Sequence, residues 1–144
     1  LQAIYRDIDS AAKAVSKLMA QAITPCALEF MDGKAIKMVR EFSDLGLPAE
    51  AQAMLMIEVD GSAASIENDA KLVRDTANTE GCIEVFLAET QEQVEKLWLT
   101  RKSLSPALRN VAPKKINEDV VVPVSRLPQL INGLDELAEK LIRS

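Results

Sequence analysis

The sequence predicts an α+β domain, and three observations carry that reading. Short runs with the twofold alternation of strands recur between stretches whose apolar residues repeat every three to four positions, the period of a helix with one buried face. Aspartate, serine, glycine and proline stand at the joints, where caps and turns are needed. The chain has 144 residues, 48% of them hydrophobic and 27% charged, the size and composition of one globular domain with a sizeable core. Only 3% of residues are aromatic, so that core must be aliphatic.

Taken in order, residues 1–8 read as the first strand. Asp9 and Ser10 offer an N-cap, and Ala11, Val15, Leu18 and Ala22 follow on one helical face. Pro25 ends that connection, and residues 26–31 alternate as a second strand. Asp32 and Gly33 open a second helix with the stripe Ile36, Val39 and Phe42, stopped at Gly46. Residues 54–59 form a strongly apolar third strand closed by Asp60-Gly61. Ser62 caps a helix whose stripe is Ile66, Ala70, Val73 and Ala77, and Gly81 ends it before a fourth strand at 82–87. Thr90 and Gln93 make a capping box, followed by Val94, Leu97 and Trp98. Pro106 cannot donate a helical hydrogen bond, which predicts a break near Ser105. Residues 109–118 read as loop, 120–122 as a short strand stopped by Pro123, and Ser125 caps a last helix. Leu127, Leu130, Ile131, Leu134, Leu137, Ala138 and Leu141 give that helix the cleanest stripe in the chain. The pattern βαβ(α)βαβ predicts a ferredoxin-like antiparallel sheet with its helices on one face, plus an extra C-terminal strand and helix. Residues 1–144 are expected to form a single domain whose other sheet face is free to cover something.

Seventeen basic and twenty-two acidic residues give a formal net charge of −5. That balance argues against a nucleic-acid or anionic-membrane surface. No apolar stretch approaches the roughly 20 residues of a membrane-spanning helix. There is no histidine, which excludes Ser-His-Asp and Cys-His catalysis within the chain and nearly every zinc or non-haem iron site. Cys26 and Cys82 lie in strand-like runs and read as buried free thiols. Walker and Gly-x-Gly-x-x-Gly phosphate loops are absent.

Glu29, Glu58 and Glu84 sit inside apolar strands, either as paired carboxylates for acid–base work or as the polar side of an open sheet face. Arg101 follows Val94 by seven positions and Leu97 by four, on or beside the stripe that should be buried. An arginine there either snorkels to solvent or holds an anion. Ser105 is one turn further on and faces the same way, or caps a turn starting at Pro106. Lys114 and Lys115 are solvated, or meet Arg101 in a small cationic pocket suited to a carboxylate. Trp98 reads as core.

The runs Pro25-Cys-Ala-Leu-Glu-Phe-Met-Asp32, Met54-Leu-Met-Ile-Glu-Val-Asp-Gly61, Leu97-Trp-Leu-Thr-Arg-Lys102 with Ser105-Pro-Ala107, and Lys115-Ile-Asn-Glu-Asp-Val-Val-Val-Pro123 resemble, in order, the C-terminal domain of FAD-linked oxidases. This is the group of the glycolate oxidase D-subunit, D-lactate dehydrogenases and D-2-hydroxyglutarate dehydrogenase. The resemblance implies a flavoprotein whose FAD is held mainly by a separate N-terminal domain, with this domain capping the flavin and shaping the substrate site. It also implies histidine motifs (HxGDGNxH, then GEHG) downstream of the last helix. The start at Leu1 in strand-like sequence and the stop at Ser144 fit the expectation of a partial domain, so no catalytic residue is expected in this chain and it should be inactive alone. Arg101 matches the arginine that holds the substrate carboxylate, and Ser105 matches the serine or threonine one turn later. The column of the family's lysine falls on Asn117, with Lys115 two residues earlier, so both are substrate-binding candidates.

The implied reaction is oxidation of a D-2-hydroxy acid to the 2-oxo acid. The expected partners are that small acid, the protein's own FAD-binding domain, and further copies or other oxidase subunits; no metal is expected on this chain. The expected location is cytoplasmic, or peripheral to the inner membrane through other subunits. The rival readings are a small-molecule-sensing ferredoxin-like regulatory module and an oligomerisation domain.

Overall fold

The computed structural model describes residues 1–114 and 118–143. Four strands, β1 (Gln2–Tyr5), β2 (Ala27–Asp32), β3 (Ala53–Glu58) and β4 (Cys82–Phe86), form one sheet in the order β2-β3-β1-β4. All neighbours are antiparallel. This is the ferredoxin-like arrangement that the alternation predicts. The helices are α1 (Ile8–Ala20), α2 (Gly33–Phe42), α3 (Ile66–Ala77), α4 (Gln91–Val111) and α5 (Leu127–Arg143).

Side-chain alternation sorts the sheet into two faces. Ala3 and Tyr5 of β1 and Ala53, Leu55 and Ile57 of β3 point to one side, where Ala11, Ala14, Val15 and Leu18 of α1 and Val73 and Ala77 of α3 bury them. Ile4, Met31 and Met54 point to the other side. There the structure departs from the prediction of helices on one face only. Ile36 and Val39 of α2 and Ala107 of α4 pack onto that second face. The reason lies in β3, whose apolar run leaves Met54 and Met56 to be covered as well as Leu55 and Ile57; a strand apolar on both sides needs a layer on each. The predicted open face survives only at one end of the sheet.

The caps follow the sequence with local shifts. The N-cap of α1 is Asp7, whose carboxylate accepts from the Ser10 N–H at 2.7 Å, in place of the predicted Asp9 or Ser10. That hydrogen bond holds the Asp7 carboxyl below its ordinary range. Asp32 caps α2 through the Ala35 N–H at 2.8 Å. The N-cap of α3 is Ser65, while the Ser62 carbonyl accepts from the Ser65 and Ile66 N–H groups. The Thr90–Gln93 capping box of α4 is present with both reciprocal bonds.

Three further predictions are corrected. α4 continues through Pro106 to Val111 without the break predicted near Ser105. Pro106 and Lys102 both lie on the exposed side, where water can bond the carbonyl that proline leaves unpaired. Residues 120–122 are not a strand, and Val121 is 97% exposed; a β-prone valine run forms no strand without a sheet edge to pair with. The stripe of α5 is not a core face either: Leu134, Leu137 and Leu141 are half or more exposed. The helix is tied to the body by a Lys34–Asp135 ion pair at 2.5 Å and by packing near α1. Cys26, expected to be buried, is exposed, and Cys82 is partly buried; both are free thiols.

Candidate functional site: an apolar cleft with one guanidinium

The cleft opens at the end of the sheet where β1 and β2 begin and β3 and β4 end. Its volume is about 280 Å³. Apolar walls come from Ile57 and Val59 after β3, Ile66 at the start of α3, Leu87 after β4, and Val94, Leu97 and Trp98 on the first turns of α4. Three charged side chains line it: Glu29, Glu58 and Arg101. The Leu1 amino group donates to the Ile57 carbonyl at 2.7 Å, and burial lowers its pKa.

Strand register explains why Glu29 and Glu58 share this place. Glu29 sits opposite Met56, and Ala27 sits opposite Glu58. Directly opposed residues point to the same face, and so do residues two apart. Glu29 and Glu58 therefore stand on the second face, in rows two residues, or roughly 7 Å, apart.

Arg101 reaches them from α4. Its Nε–H donates to both carboxylate oxygens of Glu29, at 2.6 and 2.5 Å. Its guanidinium carbon lies 5.2 Å from the centre of the Trp98 ring, within cation–π range. Glu29 raises the pKa of Arg101. Arg101 therefore neither snorkels away nor hides in the core. Its side chain is 46% exposed and that of Glu29 is 42% exposed, so the pair sits at the rim of the cleft. Among the described residues, the two terminal guanidinium nitrogens have no hydrogen-bond partner.

Not every residue singled out by the sequence gathers here. Ser105 is exposed one turn further along α4 and does not line the cleft. Lys115 and Asn117 lie outside the described residues. Lys114 follows the far end of α4, whose residues 101–111 span about 15 Å, and it does not line the cleft. Glu84 is exposed on β4. Trp98, expected in the core, is 36% exposed and forms a cleft wall. The Glu29–Arg101 bond joins positions 72 apart in sequence, which no local spacing could reveal; the one local signal was a glutamate alternating with Leu28 and Phe30 on a strand.

The chain is thus an α+β domain with a small apolar cleft that offers one cation to an anion. Residues 2–142 match the family "FAD linked oxidases, C-terminal domain", and the chain belongs to that family. It is 33% identical over 140 residues to the glycolate oxidase subunit GlcD of Bacillus subtilis, covering 97% of this chain and 30% of that protein. It is 29% identical over 140 residues to the GlcD subunit of Escherichia coli K12, covering 97% and 28%. It is 26% identical over 129 residues to a probable mitochondrial D-lactate dehydrogenase of Danio rerio, covering 88% and 26%. The chain therefore spans about three tenths of the length of these relatives or less.

A cleft of this volume is at the lower end of the range for small-molecule sites. It has room for a short acid and not for a whole flavin adenine dinucleotide, so these residues do not by themselves form the FAD site. Among the described residues there is no group of three or more acidic or cysteine side chains placed to hold a metal ion, and no helix is long and apolar enough to cross a membrane.

Proposed function

We propose that this chain is the substrate-facing domain of a longer FAD-dependent oxidoreductase that converts a D-2-hydroxy acid of the glycolate or lactate type to the 2-oxo acid. The observation that carries the reading is the guanidinium of Arg101, clamped by Glu29 and Trp98 at the mouth of an apolar cleft with its terminal nitrogens open. A planar fork of N–H donors suits a carboxylate, and a charge-assisted pair outcompetes a neutral one. The apolar walls suit the short carbon chain behind that carboxylate. The FAD, the proton acceptor and the histidine motifs belong to parts of the protein outside this chain. Ser105 is a peripheral contact at most, and Lys115 and Asn117 remain proposed contacts through the family resemblance. The protein's own FAD-binding domain is the partner this reading requires. The names of the relatives favour it over a sensing module or an oligomerisation domain, because both kinds of relative are named for oxidation of a 2-hydroxy acid.

The test is Arg101→Ala in the full-length protein. Loss of one charged hydrogen-bonding partner lowers kcat/KM by about ten- to a hundredfold. A variant that oxidises glycolate, D-lactate and longer 2-hydroxy acids as well as the parent ends the assignment.

A further inference from the structure

Three features of the cleft bear on which acid it accepts. The Nε edge of Arg101 is taken by Glu29 and its face by Trp98, which leaves the terminal-nitrogen edge for one incoming carboxylate. Glu58 stands on the same face, one alternation further out than Glu29. No other cationic side chain lines the cleft among the described residues. The Leu1 nitrogen is an ammonium here; in a longer chain it is a peptide N–H without charge. With Glu29 already matched to Arg101, the unmatched charge in the cleft is that of Glu58, and it is negative.

Resting on the reading of Arg101 as the carboxylate anchor, we propose that the cleft is selective for monocarboxylates with an apolar tail: Glu29 positions the guanidinium and Glu58 turns away a second carboxylate. A four-carbon dicarboxylate anchored at Arg101 carries its far charge into walls made of Ile57, Val59, Leu87 and Val94. There it finds no donor side chain to replace its lost water and meets the Glu58 carboxylate at short range. The uncharged end of a four-carbon monocarboxylate loses nothing on entering the same walls. Glu29 is a positioning residue, because it touches the guanidinium and not the substrate; Glu58 sets specificity by charge.

The experiment compares butanoate and succinate, acids of equal carbon number, by titration calorimetry on the full-length protein. The parent binds butanoate more tightly than succinate. Glu58→Gln narrows that preference by about tenfold, the effect of one partly screened charge at such range, and leaves butanoate affinity within about twofold. Glu29→Ala weakens butanoate by about fivefold, because the fork is no longer held. Equal binding of both acids by the parent, no binding of butanoate, or a Glu58→Gln preference like the parent's overturns the selectivity. A Glu29→Ala protein that binds butanoate more tightly shows a competing charge where the proposal has a clamp, and overturns that half. The underlying reading fails separately: it falls if Arg101→Ala retains butanoate binding, whereas a loss on Arg101→Ala with no response to Glu58→Gln sinks only the selectivity.

Discussion

The single tyrosine allows a prediction in which two effects of opposite sign cross at a stated pH. Tyr5 is fully buried on β1, and its hydroxyl donates to the Ala77 carbonyl at 2.7 Å, fastening the sheet to the last turn of α3. Replacing Tyr5 by Phe removes that bond and leaves the carbonyl short of one donor, a loss in the range of roughly 1–3 kcal/mol for a buried polar group. The lower end applies, because the Ala77 carbonyl also accepts from the Thr79 N–H at 2.9 Å; at neutral pH the variant should be less stable by about 1 kcal/mol. Alkaline pH reverses the order. Burial, and secondarily the neighbourhood of Cys82, raise the Tyr5 pKa far above that of a free phenol, whereas in the unfolded chain it ionises near pH 10. A raised folded-state pKa means stability that is complete below the unfolded value and is lost as pH rises above it, by about 1.4 kcal/mol per unit. Tyr5→Phe lacks this loss, so the two stability curves should cross near pH 11. Urea unfolding at a series of pH values, followed by Trp98 fluorescence, reads both curves. Phenolate absorbance in the parent should appear together with unfolding and not before it. Parallel curves with no crossing, or phenolate formed in the folded protein, would refute the argument from burial.

Two other substitutions test the architecture. Ile36→Ala removes a fully buried side chain of α2 from the second face and should cost about 2–5 kcal/mol by urea unfolding; a cost near zero would restore the open face. Gly81→Ala asks an L-residue to adopt a φ of +85° and places its Cβ 2.7 Å from the Ser10 Cβ, closer still to the Ser10 hydroxyl. It should lower stability by about 2 kcal/mol or more, and an unchanged unfolding midpoint would mean that the β4 turn relaxes freely away from α1.

What the sequence made legible was local. Each strand and helix of the ferredoxin-like unit could be read because alternation and helical spacing are properties of neighbouring residues, and the Thr90–Gln93 box because its partners are three apart. The second helical layer was also written there, in the unbroken apolar run of residues 53–57, but it was read as one buried face when it meant two. The failures share a cause. The valines of 120–122 have the propensity of a strand and no edge to pair with. The stripe of α5 shows that a helix forms and not what covers it. Trp98 has the spacing of a core residue on a helix whose first turns overhang a cleft. Cys26 falls just before its strand, where exposure depends on how neighbouring segments end. In each case the missing information is the identity of a partner far away in sequence.

The Glu29–Arg101 contact depends on the same long-range terms, and this bears on how a small cleft can hold its geometry. Arg101 is fixed to α4, and Glu29 to the edge strand β2, so their meeting distance is set by how α4 lies across the sheet. Two contacts decide that: Leu97, 9% exposed, at the cleft end, and Ala107, 2% exposed, against α2 and Met54 at the other. Between them lie nearly three helical turns of a rigid rod, with Arg101 four residues after the first anchor. The guanidinium is thereby positioned by packing at both ends of a helix and not by a flexible loop, so little ordering entropy remains to be lost when an anion binds. The continuation of α4 through Pro106 is what makes this possible. A break at Ser105 would have uncoupled the Ala107 anchor from Arg101 and left the orientation of the fork to one contact.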